Sequence, residues 1–143
     1  MTVVRRAASV PFSAAQMYQL VNDVETYPQF LPWCVGAELL VREPERVRAR
    51  LRLKKGPLDL SFITENRLRM DRAITLSLVE GPFSRLHGEW QFEPTGNGCV
   101  VRLELEFQFR GRVLGSVLAT AFKPLVDSLV EAFKARAYAV YVD

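Results

Sequence analysis

The sequence predicts an α+β domain in which a curved antiparallel sheet of about seven strands wraps around one long C-terminal helix, with two short helices after the first strand. Three observations carry this. From Val113 to Tyr141 apolar residues recur at three- and four-residue steps. From Val35 to Arg110 nearly every stretch alternates apolar and polar residues, with Gly- and Pro-containing turns between stretches. Between an N-terminal strand and that region, a helix start signal is followed by two prolines. A sheet with one apolar face and a helix with one apolar stripe bury them against each other. Where the two do not fill the space between them, a cavity is left.

Taken in order, Thr2 to Val10 forms the first strand. Ser13 is placed as a helix N-cap, with Gln16 as its capping-box partner and Phe12 ready to staple onto Met17 or Tyr18. Met17, Leu20, Val21 and Val24 give this helix its apolar side. Pro28 and Pro32 confine the next segment to a short helix or turn over Glu25 to Leu31.

In the strand region, Val47, Ala49, Leu51 and Leu53 point inward between Arg46, Arg48, Arg50, Arg52 and Lys54. Lys55-Gly56-Pro57 is a turn, after which Leu58, Leu60 and Phe62 point inward against Asp59, Ser61 and Glu65. Ile74, Leu76 and Leu78 make the next inward row and Gly81-Pro82 the next turn. Leu86, Gly88, Trp90 and Phe92 line the following strand, which ends in a turn at Pro94 to Gly98. Val101, Leu103, Leu105, Phe107 and Phe109 complete the inner face, against Arg102, Glu104, Glu106, Gln108 and Arg110.

Gly111 then separates sheet from helix. Leu114, Leu118, Phe122, Leu125, Leu129, Phe133 and Val140 form the helix's apolar stripe, with Lys123, Asp127, Glu131, Lys134 and Tyr138 opposite. At 1.5 Å per residue the helix is roughly 40 Å long. Pro124 cannot donate to the Thr120 carbonyl, which predicts a bend that lifts half the helix from the sheet and holds a cavity open.

Length and composition set the outer limits. The 143 residues suffice for one domain, 1–143, with its own core. A hydrophobic fraction of 49% with 24% charged residues is that of an ordinary globular chain, not a disordered or fibrous one. The formal net charge of +3 tolerates an anionic partner without requiring one. Cys34 and Cys99 are too few for a disulfide framework, so a reducing cytoplasm is the expected setting. The interrupted run after Arg5 and Arg6 is not a signal peptide, and no stretch is long and apolar enough to span a membrane.

Few residues offer chemistry. His87 is the single histidine and alternation puts it on the outer face. With no second histidine or carboxylate cluster, no metal site is expected. Cys34 has no histidine beside it to activate a thiolate. Glu104 and Glu106 alternate outward as partners for Arg102 and Arg110. Glu80 is the one charged residue whose side of the sheet the alternation leaves open. No catalytic residue, metal or cofactor is therefore assigned.

Two features remain as candidate sites. The large apolar inward residues Phe62, Leu76, Leu78, Trp90, Leu105 and Phe107, with Leu118, Phe122 and Leu125 of the helix, read either as packed core or as the lining of a pocket for a hydrophobic small molecule. The second feature is the stripe Arg46, Arg48, Arg50, Arg52 and Lys54, with Lys55 at the turn. It reads either as a solvated face or as a surface for phosphates, in ribosomal RNA or an anionic membrane. No aromatic interleaves with it, so base-specific recognition is not supported and no DNA partner is expected.

The element order is that of the helix-grip, or START-like, fold. The segment Tyr27-Pro28-Gln29-Phe30-Leu31-Pro32-Trp33-Cys34 resembles the YPxFLPWC signature of the coenzyme Q-binding START-domain family, whose bacterial members include ribosome-association toxins. Three further stretches fit: Pro11 to Ala14 with Met17-Tyr18 and Val21 to Val24; Glu80 to Phe83 with Leu86 and Trp90 to Phe92; and Ala132-Phe133 with Arg136-Ala137 and Val140-Tyr141. The resemblance implies a non-catalytic carrier of ubiquinone or a related prenyl lipid that serves respiratory complexes. Read from the residues, Phe30, Leu31 and Trp33 form either the lid of a pocket or a plug that caps the core, and the resemblance implies the lid for Leu31 and Trp33. It also implies an alternative: a toxin or regulator that binds the large ribosomal subunit and blocks subunit association. The expected location is the cytoplasm, with peripheral contact at the inner membrane, and nothing demands more than a monomer.

Overall fold

The computed structural model describes residues 1–141. Its seven strands form one antiparallel sheet: β1 (Thr2–Val10), β2 (Cys34–Glu43), β3 (Arg46–Lys55), β4 (Leu58–Arg69), β5 (Ala73–Glu80), β6 (Phe83–Pro94) and β7 (Cys99–Phe109). Their spatial order is β1-β7-β6-β5-β4-β3-β2, so β2 to β7 form a meander and β1 closes onto its last strand. Helix α1 (Ala14–Asn22) and the 3-10 turn Val24–Gln29 fill the connection between the two edge strands. Helix α2 (Val113–Tyr141) follows β7 and lies against β1, β7 and β4 on the inner face. This is the predicted helix-grip arrangement, down to the limits of the long helix.

Local chemistry accounts for the joints. The Ser13 hydroxyl accepts from the Gln16 amide, and the Gln16 side chain accepts in return from the Ser13 N–H, which completes the capping box. Phe12 packs edge-on against Tyr138 of α2, with ring centres 4.9 Å apart, and this ties the start of α1 to the end of α2. Gly111 turns from β7 into α2 at φ +83°, a backbone region that side chains disfavour. Helix α2 runs unbroken through Pro124, whose side chain is exposed.

The sheet bends where its pairing slips. Single extra residues occur at Val35 and Leu40 of β2, at Val79 of β5 and at Ser84 of β6. All four side chains are exposed, the three apolar ones turned off the inner face by the bulge. Glu80, next to the third bulge, is exposed and pairs with Ile63.

The buried stripe of α2 differs from the predicted one at both ends. Leu114 is 66% and Val140 48% exposed. The buried positions are Gly115, Phe122, Leu125, Val126, Val130, Phe133 and Ala137. Glu104 and Glu106 also choose other partners than predicted. Glu104 pairs with Arg5 of β1 and Glu106 with Arg85 of β6, while Arg102 pairs with Glu93 and Arg110 donates to the Phe83 carbonyl. Cross-strand neighbours are nearer than residues along the same strand, and the register decides.

Candidate functional site

Two aromatic clusters on α2 divide the interior. Phe122 is surrounded by Phe83, Phe107 and Phe109, with ring centres 5.5, 4.8 and 5.5 Å away. Phe133 is surrounded by Tyr27, Phe30 and Trp90 at 5.4, 5.2 and 5.2 Å. The two hubs are eleven positions apart on the helix, about 16 Å along the axis. Between them lies a cavity that offers about 100 Å³ to the centre of a water molecule and about 830 Å³ of empty space in all, part of it open to solvent.

Every layer of the fold contributes to this cavity. Helix α2 supplies Phe122, Leu125, Val126, Leu129 and Phe133, and the α1 end supplies Val21 and Val24. The sheet supplies Ala49, Leu51 and Leu53 from β3, Phe62, Thr64 and Asn66 from β4, Ile74 and Leu76 from β5, Leu86 and Trp90 from β6, and Leu105 from β7. Tyr27, Leu31, Trp33 and Cys34 close it from the connecting segment. The small side chain of Ala49, opposite Thr64 on the neighbouring strand, leaves room on the cavity floor. At Gly88 any Cβ would lie 2.4 Å from Leu105 Cδ1, so glycine there is what lets Leu105 seat beside β6.

Of the residues assigned to a pocket from sequence, Leu31, Trp33, Phe62, Leu76, Trp90, Leu105, Phe122 and Leu125 border the cavity. Phe30, Leu78, Phe107 and Leu118 do not. Phe107 is fully buried and its ring is spent on Phe109 and Phe122. Phe30 packs on Phe133, and the Arg136 guanidinium lies over the Phe30 ring, 5.1 Å from its centre. Leu78 stands beside the β5 bulge, and Leu118 belongs to the half-covered first turns of α2. Thr64 and Asn66 were not foreseen. They continue the inward row of β4 by twos from Leu58, and that period is the signal that finds them.

The segment that closes the cavity is pinned at several points. The Tyr27 hydroxyl donates to the Val21 carbonyl, and the Lys54 N–H donates to the Trp33 carbonyl at 2.9 Å. Arg136 donates to Gln29 Oε1 at 2.9 Å. Leu31 is 1% exposed, whereas Trp33 is half-buried at the cavity edge. Burial pushes both the Tyr27 hydroxyl and the Cys34 thiol up from their ordinary values, so both stay neutral. His87 is exposed on the outer face.

The basic stripe stands on the outer face of β3 and is largely neutralised. Arg46 pairs with Glu43 and Glu65, Arg48 with Glu65, Arg50 with Glu38, and Arg52 with Asp59. Hydrogen bonds from Arg46 hold the Glu43 and Glu65 carboxyls below their usual range, and those from Arg52 do the same for Asp59. Lys54 and Lys55, at the β3–β4 turn, have no carboxylate partner among the described residues.

Known proteins share this arrangement. A family model described as polyketide cyclase / dehydrase and lipid transport matches residues 10–134. The persistence and stress-resistance toxin PasT of Escherichia coli is 41% identical over 142 residues, covering 99% of this chain and 90% of the relative. The ribosome association toxin RatA of Pseudomonas aeruginosa is 38% identical over 98% of both chains. More distantly, the mitochondrial coenzyme Q-binding protein COQ10 of Dictyostelium discoideum is 24% identical over 88% of this chain and 64% of its own. Among solved structures, an 18 kDa protein of Caulobacter crescentus matches at 30% identity with a TM-score of 0.79, each chain fully covered. A START superfamily protein of Mycobacterium smegmatis matches at 22% with a TM-score of 0.81, over 96% of this chain and 98% of its own. A Streptomyces aromatase/cyclase matches at 16% with a TM-score of 0.83, over 95% and 93%, a likeness of fold alone. With the match of the family model running from the last residue of β1 into the last turns of α2, this chain belongs to the polyketide cyclase / dehydrase and lipid transport family.

Proposed function

We propose that this chain is a ribosome-associating regulator that binds the large subunit in the cytoplasm and opposes subunit association. The observation that carries this is identity near 40%, end to end, with proteins named ribosome association toxin. Co-sedimentation on sucrose gradients tests it. At low salt the protein is expected in subunit fractions, and its overexpression should deplete assembled ribosomes. Absence from those fractions together with an unchanged ribosome profile would overturn the reading.

A second reading concerns the interior and is compatible with the first, since cavity and basic stripe occupy opposite faces of the sheet. We propose that the cavity holds a hydrophobic ligand, with ubiquinone or a related prenyl lipid the leading candidate, and that it does so without catalysis. The nearly unbroken apolar lining and the neutral Tyr27 and Cys34 suit binding better than proton transfer. The distant likeness to a coenzyme Q-binding protein points the same way. As a carrier, the protein would meet the anionic inner membrane peripherally. Organic extraction of protein purified from a quinone-producing host, followed by mass spectrometry, should recover a prenyl lipid at near-stoichiometric yield and much less from Trp33→Ala. An extract free of any lipid or quinone would remove this reading and leave the first standing.

A further inference from the structure

We infer that Thr64 and Asn66 form a polar anchor inside the cavity that selects apolar ligands bearing a neutral hydrogen-bond acceptor, such as a ring carbonyl, over plain hydrocarbons. The inference rests on the reading of the cavity as a ligand site. The inner row of β4 is Leu58, Leu60, Phe62, Thr64, Asn66 and Leu68, so two consecutive inward positions are polar in an otherwise apolar row. They are 6% and 5% exposed, and both border the cavity. The Thr64 hydroxyl donates to Asn66 Oδ1 at 3.0 Å. That bond satisfies the hydroxyl proton and fixes the amide with its NH₂ group away from Thr64.

Among the described residues no acceptor is recorded for Asn66 Nδ2, and it is not one of the side-chain nitrogens sealed off inside the protein. The NH₂ group is thus accessible, on a residue that borders the cavity. With only the cavity beside it the amide forgoes a hydrogen bond, and apolar residues of the same size would suit a packed core better. An acceptor arriving with a ligand supplies that bond. The acceptor must be neutral, because no cationic side chain borders the cavity to compensate a carboxylate or phosphate. Room exists beside the anchor, since Ala49 stands opposite Thr64. The β5 bulge at Val79 breaks the regular pairing on the other side of the same residue.

The test compares two probes of matched shape, a decyl-substituted benzoquinone and decylbenzene, by displacement of the fluorescent probe N-phenyl-1-naphthylamine from delipidated protein. The wild type should bind the quinone about tenfold more tightly, as one buried hydrogen bond allows. In Asn66→Leu the quinone should lose that advantage while decylbenzene binds at least as well as before. Thr64→Val should weaken the preference, because the amide is no longer held in place. Equal binding of the two probes to the wild type overturns the anchor and leaves the cavity reading intact, whatever the variants do. A preference that survives in Asn66→Leu also overturns it. Failure of both probes, and of the fluorophore, to bind overturns the cavity reading itself.

Discussion

Trp33 and Phe107 are both large inward aromatics with different surroundings. Phe107 is fully enclosed by Phe109, Phe122 and the sheet, so truncation there leaves a void that close-packed neighbours cannot fill. Phe107→Ala is expected to cost about 3–5 kcal/mol, read from urea denaturation, which is a large part of a small domain's stability. Trp33 is half-buried beside space that is already empty, so Trp33→Ala should cost well under half as much while it lowers retention of apolar ligands. Equal destabilisation by the two would mean that the cavity is closed in solution. Alternation placed Phe107 inward and the resemblance set Trp33 in the segment that closes the pocket, but neither carries information about what stands opposite the ring. That depends on sheet register and helix position, which are set by contacts far apart in the chain. Thr64 and Asn66 were legible, since the β4 period runs straight through them; their polarity hid them.

Among the elements, β3 reads most clearly from sequence and its chemistry least so. Strict alternation fixed its two faces, and the structure keeps them. In the sequence its arginines form a row of like charges that Asp59 and Glu65 of the next strand offset in part; the register of β4 pairs those two, and β2 brings Glu38 across as well. The bulges at Val35, Leu40 and Val79 were hidden for the same reason, because a one-residue slip is a property of two strands, not one. The carboxylates paired with β3 give a pH dependence with a definite sign. Glu43, Glu65 and Asp59 titrate lower in the folded chain than their ordinary values of 4.5, 4.5 and 3.8. Their contribution to stability is therefore complete above those values and is lost as pH falls through the lower folded ones. Urea midpoints should hold steady from neutral pH to about 5 and then decline toward pH 3. Glu65→Gln should flatten that decline, since it removes the carboxylate shared by Arg46 and Arg48.

For the whole molecule, the pairing of the stripe decides how it can meet a polyanion. Six cations follow one another from Arg46 to Lys55, yet the four arginines already have carboxylate partners. A phosphate must displace those partners to reach an arginine, whereas Lys54 and Lys55, at the end of β3, form no ion pair among the described residues, although Asp59 faces Lys54 across the strands. Affinity for ribosomal RNA should then depend more on the two lysines than on any two arginines. Lys54→Glu with Lys55→Glu is expected to lower co-sedimentation with the large subunit at least tenfold at low salt, and to flatten its dependence on salt by roughly two counterions. Glu65→Gln should act in the opposite direction, because it releases Arg48 and Arg67 for phosphate without adding a cation, while Arg46 keeps Glu43. Binding measured at several salt concentrations separates these cases. If the lysine variant binds as the wild type does and Glu65→Gln changes nothing, the ribosome is met through another face, and the stripe serves only to keep the outer sheet solvated.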